Sequence, residues 1–160
     1  MFVKYIKYSA LVVTCCGFSL LGASSTLATE RTCYGKVIPP SITGYYLDNF
    51  NGYQQVGKSI WNSGGPHGKL LFHYCAVSEV EKHIVAQNDA TNKWYPNKYS
   101  RFEWTKSGTD LWYCQPVFSA KTEREAADFT AHPKADTRDP KTRGCGENGK
   151  FPWTKMIPKN

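Results

Sequence analysis

The stretch Tyr99–Phe118, "YSRFEWTKSGTDLWYCQPVF", decides how the chain is read. Two aromatic-rich runs, Tyr99 to Thr105 and Leu111 to Phe118, flank the polar segment Lys106–Asp110, which holds a glycine. That pattern predicts two antiparallel strands joined by a short turn. Pairing around this turn sets Trp104 opposite Trp112 and Phe102 opposite Cys114, so one face is apolar. The other face carries Arg101, Glu103, Leu111, Tyr113 and Gln115. Alternation of this kind marks a sheet with one wet side, or a barrel with a partly polar interior. Pro116 cannot donate to a central ladder, which places the end of the second strand there.

Upstream, the same signals recur. Gly44 to Phe50 and Tyr53 to Trp61 flank Asn51-Gly52, both of which tolerate positive φ in a tight hairpin turn. Asn62 to Gly68 reads as a glycine-rich loop. Lys69 to Val77 and His83 to Asn88 pair around the polar turn "SEVEK", and a longer loop, "DATNKWYPN", follows. Thr32 to Ile38 is a further strand candidate. The expected fold class is mainly β: an antiparallel meander or small barrel of six to eight strands, with one C-terminal helix and a disulfide-tied tail.

Downstream, aromatic residues give way to helix formers. Ser119 or Thr122 can cap a helix, and Thr122 with Glu125 has capping-box spacing. The helix is expected over Ala120–Thr130 and ends at His132-Pro133. Its apolar face, Ala120, Ala127 and Phe129, is too small to stand alone and must lie against the sheet. Residues 131–160 are polar and turn-rich, and read as a mostly irregular tail that cannot order itself.

The chain has 160 residues. Its first 28 show Lys4 and Lys7, an apolar segment from Ala10 to about Leu21, and small residues up to Ala28. That is the pattern of a secretory signal peptide, too short in its apolar part to span a bilayer. Residues 29–160 then form a single β-rich domain, secreted or periplasmic, with no membrane span after cleavage. Cleavage leaves Cys33, Cys75, Cys114 and Cys145. An even count in an exported chain reads as two disulfides, and four cysteines allow three pairings. Cys33–Cys75 with Cys114–Cys145 is favoured, because the second bridge would tie the tail to the last strand. No CxxC spacing is present, so no metal site is expected. Without the leader the chain keeps 18 Lys+Arg against 13 Asp+Glu, a formal charge of +5. That suits solubility and weak attraction to anionic surfaces; nucleic-acid binding is not expected without a recognisable module.

A meander that begins "TGYY", closes with "LWYC" and is followed by a helix resembles the calycin group, the lipocalin-like barrels. Gly44-Tyr45-Tyr46 stands where that family usually has Gly-x-Trp. The combination "SRFEW…LWYCQPVFSA…GCG…FPW" is also similar to small exported bacterial proteins of unassigned function. The resemblance implies a barrel that can hold a ligand, and it brings no catalytic residue and no cofactor.

The residues themselves offer little catalytic chemistry. There is no GxSxG motif, and disulfides remove the thiols as nucleophiles. His73 and His83 share a face several residues apart, and His67 and His132 lie in loops. An acid pair would need Asp48 to meet Glu103 or Asp89 across a cleft. Glu103 is more simply the same-face neighbour of Arg101. Trp94-Tyr95, aromatic among hydrophilic neighbours, is a contact candidate on a loop. The first functional expectation is therefore a non-enzymatic binding protein, taking a small apolar or aromatic ligand in a barrel mouth. Trp94, Tyr95, Arg101, Glu103 and Tyr113 are the candidate ligand-binding residues. The alternatives are a secreted protein-interaction module or inhibitor, which would show a flat exposed aromatic patch and no cavity, and a hydrolase, which would bring Asp48, Glu103 or His73 into one cleft.

Overall fold

The computed structural model describes Cys33, residues 37–146, Gly149 and residues 151–159; the leader expected over residues 1–28 lies outside them. The strands are β1 (Gly44–Asp48), β2 (Tyr53–Val56), β3 (Ile60–Gly65), β4 (Gly68–Ser78), β5 (His83–Asn88), β6 (Tyr99–Ser107) and β7 (Asp110–Ala120). Helix α1 (Glu123–Ala127) follows, then β8 (Gly144–Cys145), β9 (Phe151–Pro152) and β10 (Thr154–Pro158). Eight strands close an antiparallel barrel in the order β1-β10-β7-β6-β5-β4-β3-β2, and β8 and β9 form a separate ribbon.

The barrel corrects the sequence reading in four places. First, Tyr53 to Trp61 is two strands, since the chain reverses at Gly57–Ser59. Most of Asn62 to Gly68 belongs to β3 and β4 rather than to a loop. Second, the eighth strand comes from the expected tail; of the candidate Thr32–Ile38, Val37 and Ile38 lie in no strand and residues 32 and 34–36 lie outside the described residues. Thr154–Pro158 pairs with β1 on one side and β7 on the other. In it Met156 is buried and Ile157 exposed. Third, α1 is one turn rather than three. Thr122 caps it, accepting from the Glu125 N–H at 3.1 Å, while the Glu125 carboxylate reaches back to the Lys121 N–H. It stops at Asp128, whose carboxylate accepts from the N–H groups of Thr130 and Ala131, a local bend that competes with helix.

The fourth correction is the register of the opening stretch. Gly108 takes φ +61°, so the turn between Ser107 and Asp110 has only two residues. Trp104 therefore pairs with Tyr113, Thr105 with Trp112 and Glu103 with Cys114. A slip of one residue exchanges the two faces of a strand. Leu111 and Tyr113 turn into the barrel beside Trp104, and Trp112 and Cys114 turn out.

The interior is filled by rings. Trp61 stacks on Phe102 with centroids 4.7 Å apart, Phe72 meets Phe102 edge-on at 4.8 Å, and Tyr113 lies 5.0 Å from Trp61. One end is floored by Ile42, whose carbonyl accepts from the Tyr46 hydroxyl at 2.9 Å. Towards the other end the interior turns polar. The Trp61 indole N–H donates to Gln54, and Gln54 donates to Asp48, each at 2.8 Å. The second Asp48 oxygen accepts from the N–H groups of Phe50 and Gly52 and so closes the β1–β2 turn.

A second layer covers the outer face of β5, β6 and β7. Val85, Tyr99, Val117 and Ala120 pack under Ala126 of α1 together with Cys33. Trp112 and Cys114 pack with Ala135, Cys145 and Trp153 of the tail. Two disulfides join this layer to the barrel wall, Cys33–Cys75 and Cys114–Cys145. Cys75 sits at a β-bulge, where the β4–β5 ladder skips from Tyr74 to Ala76. Closing the 31-residue separation between Cys114 and Cys145 stabilises the fold by about 3–4 kcal/mol in the chain-entropy description.

The centre of this layer is polar. Arg101 is fully buried. Its Nε donates to Glu103 at 2.8 Å, its Nη1 to the Ala126 carbonyl at 3.1 Å, and its Nη2 to the carbonyls of His132 and Pro133. The other Glu103 oxygen accepts from the Ala135 N–H at 2.9 Å. The Phe129 ring covers the guanidinium at 4.4 Å. Removing one partner of such a pair strands a charge, at a cost of about 3–5 kcal/mol. Arg101→Ala should therefore lower the unfolding free energy in urea by about that much. Amide exchange should accelerate first at Ala126 and Ala135, before the β1–β5 wall responds. Uniform acceleration over the barrel would show that Arg101 does not hold the outer layer selectively.

Candidate functional site

The five candidate ligand-binding residues lie in three places. Trp94 and Tyr95 are on the β5–β6 loop, 44% and 48% exposed. Tyr95 takes φ +50°, its carbonyl accepts from Asn88, and its ring tilts over Phe118 at 5.3 Å. Arg101 and Glu103 are outside the barrel, sealed beneath α1 and the tail. Tyr113 is inside, where hydroxyls of Ser63 and Thr154 hydrogen-bond its own and burial holds its pKa well above the usual phenol value. The barrel wall separates Tyr113 from the ion pair. The physical reason is alternation: in the observed register Tyr113 points the opposite way from Arg101 and Glu103.

The hydrolase constellation does not assemble either. Asp48 closes a turn, Glu103 holds the tail, and His73 lies on β4 with its Nε2 2.7 Å from Asp89. That hydrogen bond, with two more from Thr91, lowers the Asp89 pKa to about 2. Burial pushes Glu103 up against the opposing pull of the Ala135 N–H and Arg101. Burial lowers His83, and the neighbouring Arg101 and Lys134 charges add to it. Among the described residues, the one group with metal-ligand geometry is Cys33, Cys75 and Glu123. Two of its three members are committed to a disulfide and offer no thiolate.

What the structure does assemble is a bare apolar wall on the β10–β1–β2 side. Leu47 pairs directly with Ile157 on one neighbour and Tyr53 on the other. Tyr45 stacks on Tyr53 with centroids 5.8 Å apart and planes 11° from parallel. Tyr45, Leu47 and Ile157 are 40–45% exposed. Lys159 stands 5.7 Å over Tyr45, and Lys155, bridged to Asp110 at 2.7 Å, continues the outward row of β10. Exposed or half-buried apolar groups on three neighbouring strands with a cationic margin make this wall the candidate site. Phe50, half exposed, sits in the turn between β1 and β2. Sequence reasoning missed the wall because Ile157 fell in the expected tail. One signal was available: "GYYLD" is apolar at both alternations, so its outward residues need a cover.

The Asp89–His73 pair carries a pH signature. A carboxylate whose folded pKa lies below its unfolded value contributes stability above the unfolded pKa and loses it as pH falls through the folded one. The difference in stability between the native chain and Asp89→Asn should stay constant above about pH 4, shrink below it, and close near pH 2. Urea unfolding at stepped pH measures this, and a difference that does not change with pH would exclude the linkage. Comparison of the chain with protein-family models, with curated proteins and with solved structures returns no match.

Proposed function

We propose that the chain is an exported, non-enzymatic interaction protein that docks another protein through the β10–β1–β2 wall. One observation carries the proposal: Leu47, flanked by Ile157 and Tyr53 and continued by Tyr45, forms an exposed apolar surface on the part of the barrel that the outer layer over β5, β6 and β7 does not reach. Two disulfides fit a chain that matures in an oxidising compartment. The lysine margin, on an exported chain of formal charge +5 without its leader, disfavours a second copy and favours a partner whose apolar patch is ringed by carboxylates. His73 meets Asp89, but Asp48 is spent on a turn and Glu103 on the tail, which supports binding over catalysis. The small-ligand version draws less support. Trp61, Phe72, Phe102 and Tyr113 pack ring against ring in the barrel, and a groove of about 1090 Å³ lies outside it.

Photocrosslinking tests the proposal. A benzophenone side chain at position 47 of the exported protein should capture a discrete partner, and the same probe at Lys69, exposed on β4, should not. Ile157→Lys should leave stability within about 0.5 kcal/mol of the native chain, as for ordinary surface changes. It should lower the yield of the position-47 adduct at least tenfold. Adducts of equal yield from positions 47 and 69 would remove the wall from the account. A native mass spectrum showing a retained small molecule would move the function back to the barrel mouth.

A further inference from the structure

A second surface, distinct from the apolar wall, follows from how the barrel closes. Strand β10 accompanies β7 only along Leu111–Tyr113, whereas β6 accompanies it as far as Ala120. Beyond Tyr113 the side of β7 facing away from β6 has no strand partner and makes no backbone–backbone hydrogen bond among the described residues. Residues Pro116–Ala120 line, in unbroken succession, the groove of about 1090 Å³ outside the barrel. Its far side is built from Ala131–Lys134 and from Gly144, Gly146 and Gly149. Phe151, half exposed and 6.3 Å from Phe118, stands at the margin.

An unpaired edge beside an open groove presents a linear row of backbone donors and acceptors, and an extended backbone answers such a row. Pro116 has no N–H, so the donors begin at Val117. Five residues of strand cover about 17 Å, the length of a short peptide rather than of a folded domain. Charge chooses among peptides. Residues 131–146 carry four cations, Lys134, Arg138, Lys141 and Arg143, against two carboxylates, Asp136 and Asp139; Asp136 is engaged by Arg138 and Arg143, Lys134 by Glu81, and Glu125 also lines the groove. We infer that the edge of β7 from Val117 to Ala120 takes an extended acidic peptide segment of a partner by strand addition, as a site independent of the apolar wall.

The test uses the folded, disulfide-bonded protein and a synthetic peptide of three Glu-Val repeats, capped at both ends. Binding is read by peptide fluorescence polarisation and by amide exchange in the protein. The expected result is saturable binding with new protection at Val117–Ala120 and no change at Tyr45 or Leu47. N-methylation of alternate peptide amides should abolish it, and a Lys-Val peptide should bind at least tenfold more weakly. Arg143→Glu, a surface change, should cost about tenfold in affinity for the Glu-Val peptide. Equal binding of the N-methylated peptide would reduce the effect to charge attraction and overturn strand addition. So would protection confined to the β10–β1–β2 wall, or no binding at about 1 mM peptide. Full protection of Val117–Ala120 in the peptide-free protein would mean that the chain already covers its own edge, and would equally overturn the proposal.

Discussion

A guanidinium with no exposed surface has to find acceptors inside the protein, and Arg101 finds four: one Glu103 oxygen and the carbonyls of Ala126, His132 and Pro133. Taking such an ion and its carboxylate partner out of water costs several kcal/mol for each, repaid only when the geometry satisfies both. Those three carbonyls belong to the short helix and the chain after it, so the pair is tolerable only when the outer layer is in place. The dependence also runs the other way. Residues 128–146 hold few apolar groups, with Phe129 half-buried and Ala135 buried. Their backbone order rests on Arg101, Glu103 and the Cys114–Cys145 bridge. A buried charge and an otherwise unstructured segment each remove the other's cost.

Strand content was legible because the chain alternates strongly and punctuates with Gly, Asn and Asp. Register was less legible, because one residue in a turn decides it. Counting the turn as Lys106–Asp110 pairs Trp104 with Trp112, and the left-handed Gly108 shortens that turn and pairs Trp104 with Tyr113. Bulges compound the difficulty. The β6–β7 ladder skips at two places, and Pro116 falls in one of them, so a proline that reads as a strand end is passed by a strand that continues to Ala120. The closing strand was the hardest to see. Five residues after Trp153 carry too little pattern to stand apart from the polar segment before them.

The disulfides were legible for a reason the side-chain site was not. A bridge needs only that two cysteines lie near one another, and the helix-and-return path makes that so for Cys114 and Cys145. A ligand site needs several side chains to point into one space. Trp94 and Tyr95 depend on how a loop folds, Arg101 and Glu103 on which face of β6 is covered, and Tyr113 on a register that slips by one. Each is a separate binary choice, and a set of five survives only when all of them come out together.

Both candidate surfaces trace to the brevity of β10. The Cys114–Cys145 bridge draws the tail over the β7 side, and Cys145 then pairs with Phe151 in the β8–β9 ribbon. With Phe151 and Pro152 held there, and Trp153 buried among Trp112, Cys114 and Cys145, the chain can join the barrel only from Thr154 onward. Five residues suffice to span β1 and to close the ring, but not to follow β7 to its end. The unfilled remainder of β7 is the groove. The cover spent on β5, β6 and β7 is likewise absent from β1 and β2, where apolar residues stand in the open. Extending β10 by two residues would need Pro152 in a central ladder, where it has no N–H to give. The same proline that ends the ribbon therefore fixes how much edge is left unpaired.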